Sequence, residues 1–333
     1  DVTIYATTSS LTRDLTRDAV NFSSKDNLAP TSITLNPTEQ YQTMDGFGAA
    51  ITGATCFNLL QMKPEDRHAF LTETFSDDKG FGFSYIRISA PWTCPKWMKV
   101  KSLTDLTPLD SWTNGQLNPA YYQDYATYFV KWVQAFNAEG IDIYAVTPQN
   151  EPLNRGNSAS LYMSWEEQRD FVKTALGPKF KAAGLATKIY AYDHNYDYSD
   201  IATEKNYPGK MYEDAAASQY LAGAAYHNYG GNREELLNIH KAYPEKELLF
   251  TETSIGTWNS GRDLSKRLLE DMKEVALGTI NNWCRGVIVW NLMLDNDRAP
   301  NREGGCQTCY GAVDISNSDY KTIIRNSHYY IIA

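Results

Sequence analysis

The chain has 333 residues, enough to bury a substantial core as one α/β domain, and 31 basic against 40 acidic residues leave a net charge of −9. That balance excludes the basic face a nucleic-acid binder needs and gives nothing to an anionic lipid surface. No run of 18 apolar residues occurs, so no membrane span is expected, and the five cysteines are too few for a disulfide scaffold. No signal peptide opens the chain, yet Asp1 is not an initiator methionine, so processing or trimming ahead of it is expected.

Residues 1–43 read as a polar entry segment with two short strands, Val2–Thr7 and Ser32–Leu35, closed by an Asn36-Pro37 turn. A Gly-rich strand, Met44–Ile51, precedes a predicted helix over Pro64–Phe75, with Pro64 suited to a first helical turn. Ser84–Ser89 is a predicted strand, followed by a long tryptophan-bearing loop from Pro91 to Pro119. In the helix Tyr121–Ala138, Tyr121, Tyr125, Phe129, Val133 and Phe136 recur on one face, so these rings are expected to face the sheet and say nothing about substrate. Gly140 caps that helix, and Ile141–Val146 is the next strand.

Helix Trp165–Leu176, strand Lys188–Asp193, helix Met211–Gln219, strand Gly223–His227, helix Glu234–Ala242 and strand Glu247–Thr251 then alternate. Helix Asp263–Leu277, strand Gly286–Trp290 and a tail helix near Tyr320–Tyr330 complete the series. Alternation of this kind predicts a parallel α/β sheet. A doubly wound sheet would want Gly-x-Gly-x-x-Gly after its first strand, and Gly46-Phe47-Gly48 lacks the third glycine.

Two stretches carry the chemistry: Thr147-Pro148-Gln149-Asn150-Glu151-Pro152 and Leu248-Leu249-Phe250-Thr251-Glu252-Thr253. Each follows an apolar run and puts a glutamate at a strand end. In a (β/α) barrel such positions meet at one mouth, and the spacing of about 100 residues fits three βα units of roughly thirty-odd residues each. Two carboxyls facing one another are the equipment for breaking a glycosidic bond. Arg87 lies inside an apolar strand and needs a carboxylate partner, for which Glu252 is the natural candidate. The 23 tyrosines and 8 tryptophans suit sugar faces and hydroxyls as well as a core.

Other chemistries are poorly served. The five histidines, at 68, 194, 227, 240 and 328, show neither His-x-His nor His-x-x-x-His spacing, and no Gly-x-Ser-x-Gly elbow is present. Cys306-Gln307-Thr308-Cys309 lies in a Gly-rich loop, where a loop staple or two free thiols is the expected state. No metal or other cofactor is expected.

Further segments, in order, resemble glycoside hydrolase family 30. Asp45-Gly46-Phe47-Gly48-Ala49-Ala50-Ile51-Thr52 looks like its opening barrel strand, and Tyr85-Ile86-Arg87-Ile88 its second. Pro91-Trp92-Thr93-Cys94-Pro95-Lys96-Trp97-Met98-Lys99 is similar to its tryptophan loop. Ala225-Tyr226-His227-Asn228-Tyr229 and Val289-Trp290-Asn291-Leu292 resemble the sixth and eighth strand ends. The loop Gly304–Gly311 looks most like that of the endo-β-1,6-glucanases, while glucosylceramidases share the core and differ there.

The resemblance implies a (β/α)8-type TIM barrel over 44–333, with 1–43 supplying N-terminal strands of a side β-structure. It implies a secreted or cell-envelope monomer acting on β-glucan, with a retaining mechanism. Glu252 would be the nucleophile, kept ionised by Arg87. Glu151 would be the acid/base with a raised pKa, and Asn150 would bond the sugar 2-hydroxyl. Trp290 would floor the sugar, with Trp92, His227 and Tyr229 beside it and Asp193 orienting its neighbours. β-Glucosylceramide, β-xylan and sugar binding without turnover are the alternatives.

Two departures from the family pattern are expected to show. Ile88-Ser89-Ala90 runs straight into Pro91-Trp92, where the family has a helix and a third strand. Seven strand candidates remain, one fewer than a closed barrel needs. The family's C-terminal β-sandwich is not reached by residue 333, which would leave Val2–Thr7 an unpartnered edge.

Overall fold

The computed structural model describes residues 2–21, 33–88, 90–197 and 200–333. Six parallel strands curl into one sheet in the order Gly46–Ala49, Cys284–Val289, Glu247–Glu252, Gly223–His227, Lys188–Asn195, Ala145–Val146. Helices pack around its outer face, giving a TIM barrel that is open on one side. On the free edge of Gly46–Ala49, Ala50 makes one parallel bridge to Arg87. Among the described residues no ladder joins the Arg87 segment to Ala145–Val146. The predicted strand Ser84–Ser89 is therefore reduced to that bridge, because nothing pairs with its outer side; Ser89 itself lies outside the described residues.

Isolated backbone and side-chain contacts close the gap instead. The Asn150 N–H donates to the Pro91 carbonyl at 2.8 Å, and the Gln149 amide donates to the Trp92 carbonyl at 2.8 Å. Nearer the opposite end, the rings of Tyr85 and Tyr144 meet edge-on at 5.8 Å.

Strand alternation puts Glu247, Leu249 and Thr251 on one face, and that face points into the barrel. The interior is layered accordingly. At the bottom Glu247 takes Lys188, Tyr190 and Arg285, and Arg285 also holds Asp45 at 2.8 Å. Above it sits a small apolar plug of Tyr190, Ala225 and Leu249 with Tyr85 against it. Gly286 makes room for that tyrosine, since a Cβ there would lie 2.7 Å from its ring. The opposite faces of the strands, with Ile189, Ala224, Leu248 and Phe250, join the main core under the helices.

The helices at Pro64–Phe75 and Glu234–Ala242 match their predicted bounds. Trp165–Phe171 opens on a capping box, in which Ser164 and Glu167 satisfy each other's backbone N–H. It was expected to stop at Leu176, before a glycine. It continues instead through a π turn to Gly177–Ala182, and the glycine serves packing, since a Cβ there would lie 2.2 Å from the Tyr220 ring. Asp214, bonding the N–H groups of Ala216 and Ala217, breaks the predicted Met211–Gln219 helix into Tyr207–Glu213 and Ala215–Ser218.

Three expectations need correction. Val2–Ala6 is not left unpartnered: it pairs antiparallel with Thr16–Val20, a strand the polar composition hid. Residues 33–35 form no strand, with Ile33 and Leu35 exposed, and Ser32 lies outside the described residues. The tail helix is Ser327–Ile332, because Ile323–Arg325 is drawn into a sheet with Val313–Ile315 and Met293–Asp295. The helix Gly53–Gln61, capped by Thr52, was not foreseen. No helix among the described residues is long and apolar enough to cross a membrane.

Candidate active site

Two register skips build the mouth of the barrel. Tyr192 pairs with Ala225 and His194 with Tyr226, so Asp193 falls out of the ladder; Tyr226 pairs with Phe250 and His227 with Glu252, so Thr251 does too. Such bulges re-aim side chains. Asp193, at a φ of 60°, turns its carboxyl inward, where Oδ1 accepts from Thr251 Oγ1 at 2.7 Å and Oδ2 from Thr147 Oγ1 at 2.7 Å.

Arg87 spans the centre. Its guanidinium donates to Glu252 Oε2 at 3.0 Å, the Thr251 carbonyl at 3.0 Å, Asn150 Oδ1 at 2.8 Å and Asp193 Oδ2 at 2.6 Å. All four partners and Arg87 itself are buried. Removing the cation leaves two buried carboxylates without it. Arg87→Ala is therefore expected to destabilise the fold by about 3–5 kcal/mol, read as a lower midpoint in urea at unchanged slope. A loss within the range of an ordinary surface substitution would mean Arg87 does not carry this charge balance.

His227, fully buried, sits between the two glutamates. Its Nδ1 lies 3.2 Å from Glu151 Oε1 and 4.0 Å from Glu252 Oε1, and its Nε2 lies 3.0 Å from Asp193 Oδ1. Sharing one nitrogen keeps those two carboxyl oxygens within about 7 Å of each other, inside the span over which carboxyl pairs cleave glycosides. Glu151 Oε2 accepts from the amides of Asn154 and Asn157, each at 2.8 Å. Tyr229 donates to Glu252 Oε1 at 3.1 Å and meets Ser254 Oγ at 2.9 Å. The Asn150 Nδ2 is buried and has no hydrogen-bond partner among the described residues.

The charges fall the other way from the expected order. Burial pushes the Glu151 carboxyl up, but the His227 hydrogen bond, the charges of both histidines and the Asn154 amide outweigh it and hold it at about 2. Burial raises Glu252, and Glu151 and Asp193 add to that against His227 and Arg87, so it stays above the ordinary glutamate value. Burial opposes charge on His227 too, yet Glu252, Asp193 and Glu151 together lift it to about 9. The proton expected on Glu151 thus rests on the imidazole beside it.

Trp92 and Trp290 wall the cleft, their rings 5.6 Å apart and tilted by 47°, and the Arg87 guanidinium lies 5.9 Å from the Trp290 ring. The cavity, about 1100 Å³, takes in Glu151, Glu252 and Tyr229 and runs on towards Tyr125, Phe129 and Trp132, on the side where the barrel is open. Glu151, His194 and His227 bring ligand atoms within 4.8 Å of one another, a trio their sequence spacing conceals. Both His227 nitrogens already face carboxylates, so a metal there would have to break those contacts.

The structure brings Arg87, Asn150, Glu151, His227, Tyr229, Glu252, Trp92 and Trp290 into one place. Thr147 and Thr251 stood inside the two quoted motifs without a role. Asn154 and Asn157 had no place in the reading of the sequence; their only signal was lying within six positions of Glu151.

The sequence model of the glycosyl hydrolase family 30 TIM-barrel domain matches residues 87–322. The chain belongs to glycosyl hydrolase family 30. Among its relatives in the family, it is 34% identical over 291 residues to the endo-1,6-β-D-glucanase BGN16.3 of Trichoderma harzianum, covering 83% of this chain and 54% of that protein. It is 32% identical to an endo-1,6-β-D-glucanase of Neurospora crassa, covering 73% of this chain and 48% of that one. The chain thus spans about half the length of these curated relatives. A solved structure described as the endo-β1,6-glucanase BT3312 is 77% identical, with a TM-score of 0.96 over 99% of this chain and 82% of that one. The fold thus matches that structure closely, while among the described residues no ladder fills the third-strand position.

Proposed function

We propose that this chain is a retaining β-glycosidase that cuts β-1,6-linked glucan, with residues 44–333 as the catalytic unit and 1–43 as a side β-structure. The observation that carries the reading is the pair Glu151 and Glu252, drawn to one buried imidazole at the floor of a tryptophan-walled cleft. The endo-1,6-β-glucanase names of the relatives support the linkage. The Cys306–Cys309 disulfide, which ties an exposed loop residue to a short buried strand, suits a secreted or cell-envelope protein.

In the first step a Glu252 oxygen attacks the anomeric carbon, the glycosidic C–O bond breaks, and the leaving oxygen takes a proton from Glu151. Glu252 loses its charge as its ester forms. That charge is the strongest support for a proton on His227, so the imidazolium yields its proton from Nδ1 to Glu151 Oε1 as Glu151 gives one up. In the second step Glu151, now a carboxylate again, takes a proton from water while the water oxygen displaces Glu252. The returning charge draws the proton back to His227. Arg87 and Tyr229 hold Glu252 in line, and Asn150 Nδ2, which has no hydrogen-bond partner among the described residues, would donate to the sugar 2-hydroxyl.

Reducing ends released from pustulan, a linear β-1,6-glucan, test this against the other substrates. Turnover of pustulan with xylan and glucosylceramide left intact is expected. Cleavage of xylan alone would overturn the linkage, and tight binding of pustulan without any turnover would make the chain a carbohydrate-binding protein.

A further inference from the structure

We propose that Trp258 is a sugar platform at the rim of the cleft, and that the polar cavity behind it receives a further glucosyl unit of the chain being cut. The inference rests on the glucanase reading above and extends it beyond the cleaved bond.

Trp258 follows the strand that carries Glu252. That strand leads into Ile255–Gly256, which pairs antiparallel with Cys309–Tyr310, and then into the turn Thr257–Asn259. The Thr257 N–H donates to the Thr308 carbonyl at 3.0 Å, and the Gly256 N–H to Asn259 Oδ1 at 3.0 Å. Across the ladder, the Cys306–Cys309 disulfide ties the partner segment to itself. The indole folds down on Gly256, where a Cβ would lie 1.9 Å from the ring. It is nonetheless 54% exposed. A single exposed tryptophan is unremarkable on a surface. One held against bare backbone by a braced turn, a few residues from a proposed nucleophile, presents a fixed flat face of the kind that packs on the C–H face of a pyranose.

Its position decides the rest. A second cavity of about 750 Å³ lies beside the cleft, and Tyr229, Ser254 and Trp258 wall both. The two spaces therefore lie side by side and meet at the indole. Where the cleft is aromatic, this second space is bounded by hydrogen-bonding groups, among them Asn228, Asn232, Arg267 and Glu270. An aromatic shelf beside a polar chamber matches a ligand with two apolar ring faces and a rim of hydroxyls. A β-1,6 link has one more rotatable bond than links made directly to the ring, which lets the glucan turn over the indole into that chamber.

The test compares Trp258→Ala and Trp258→Phe with the parent on β-1,6-gluco-oligosaccharides of increasing length and on an aryl β-glucoside. In Trp258→Ala, kcat/KM for the long oligosaccharides should fall about tenfold or more relative to the aryl glucoside, about 1.4 kcal/mol per tenfold, with Trp258→Phe between. Equal losses on both substrates, or none, would overturn the proposal. The ratio reports binding beyond the cleaved bond, so a variant that merely folds less well lowers both and counts against it. Calorimetry with a long β-1,6-oligosaccharide, in the Glu252→Gln background, separates the two layers of the argument. A parent with no turnover sinks the glucanase reading, while Trp258 is still judged by whether its removal weakens that binding about tenfold.

Discussion

Glu252→Gln is expected to lower turnover of pustulan by roughly 10⁵-fold or more, the scale seen when a covalent nucleophile is removed. Glutamine keeps the volume and can still accept from Arg87 and Tyr229, so the cleft should survive; what it cannot do is form the glycosyl ester. The change has a second consequence. Without the Glu252 charge, His227 loses its strongest support and its pKa falls from about 9 towards the value burial alone would set. A residual rate within a hundredfold of the parent would remove Glu252 from the nucleophile's place. The anomeric outcome is sharper still: Glu252→Ala with azide should give the α-glycosyl azide, inverted relative to the substrate. A β-product from that variant would mean that the two glutamates have exchanged roles.

Glu151→Ala is expected to lose about 10²–10⁴-fold on pustulan, the usual contribution of a general acid. Far less should be lost on an aryl glucoside whose leaving group departs without a proton, and azide should restore turnover there as the β-glycosyl azide. The pH profile follows from the shared proton. In the parent the Glu151–His227 pair keeps it until pH rises through about 9, so kcat/KM falls on the alkaline side there. On the acid side activity is lost as Glu252 takes up a proton, above the ordinary glutamate value because its pKa is raised. In Glu151→Ala, assayed on the activated substrate, the alkaline fall should flatten. An alkaline limb left in place in that variant would show that it belongs to some other group.

Much of this was legible beforehand because it is local. Alternating apolar runs announced the parallel strands, since a strand buried on both faces has few other ways to be written. The Gly223–His227 strand and the Glu234–Ala242 helix could be bounded to the residue from their neighbours alone. The paired glutamates stood out because strand ends converge in a barrel, so a carboxyl after each of two apolar runs already implies a shared mouth. Arg87 demanded a carboxylate simply by lying in an apolar run; Glu252 is one of the two it meets, and Asp193, the nearer, is the other.

What the chain alone did not reveal depends on partners far away in sequence. Thr16–Val20 is a strand only because Val2–Ala6 lies opposite it, and Ser84–Ser89 mostly is not, because no strand among the described residues pairs with its outer side. Asp193 and Thr251 enter the site through register skips that exist only between paired strands. The proton's place was likewise a tertiary matter. Glu151 alone, buried beside an acid, would hold a raised pKa; with His227 at 3.2 Å and two amides on its other oxygen, it is the imidazole that keeps the charge. The amino-acid order determined which groups are present and which end of the barrel they reach. The folded chain decided their distances, and in a buried cluster distance sets the electrostatic energies that assign each proton.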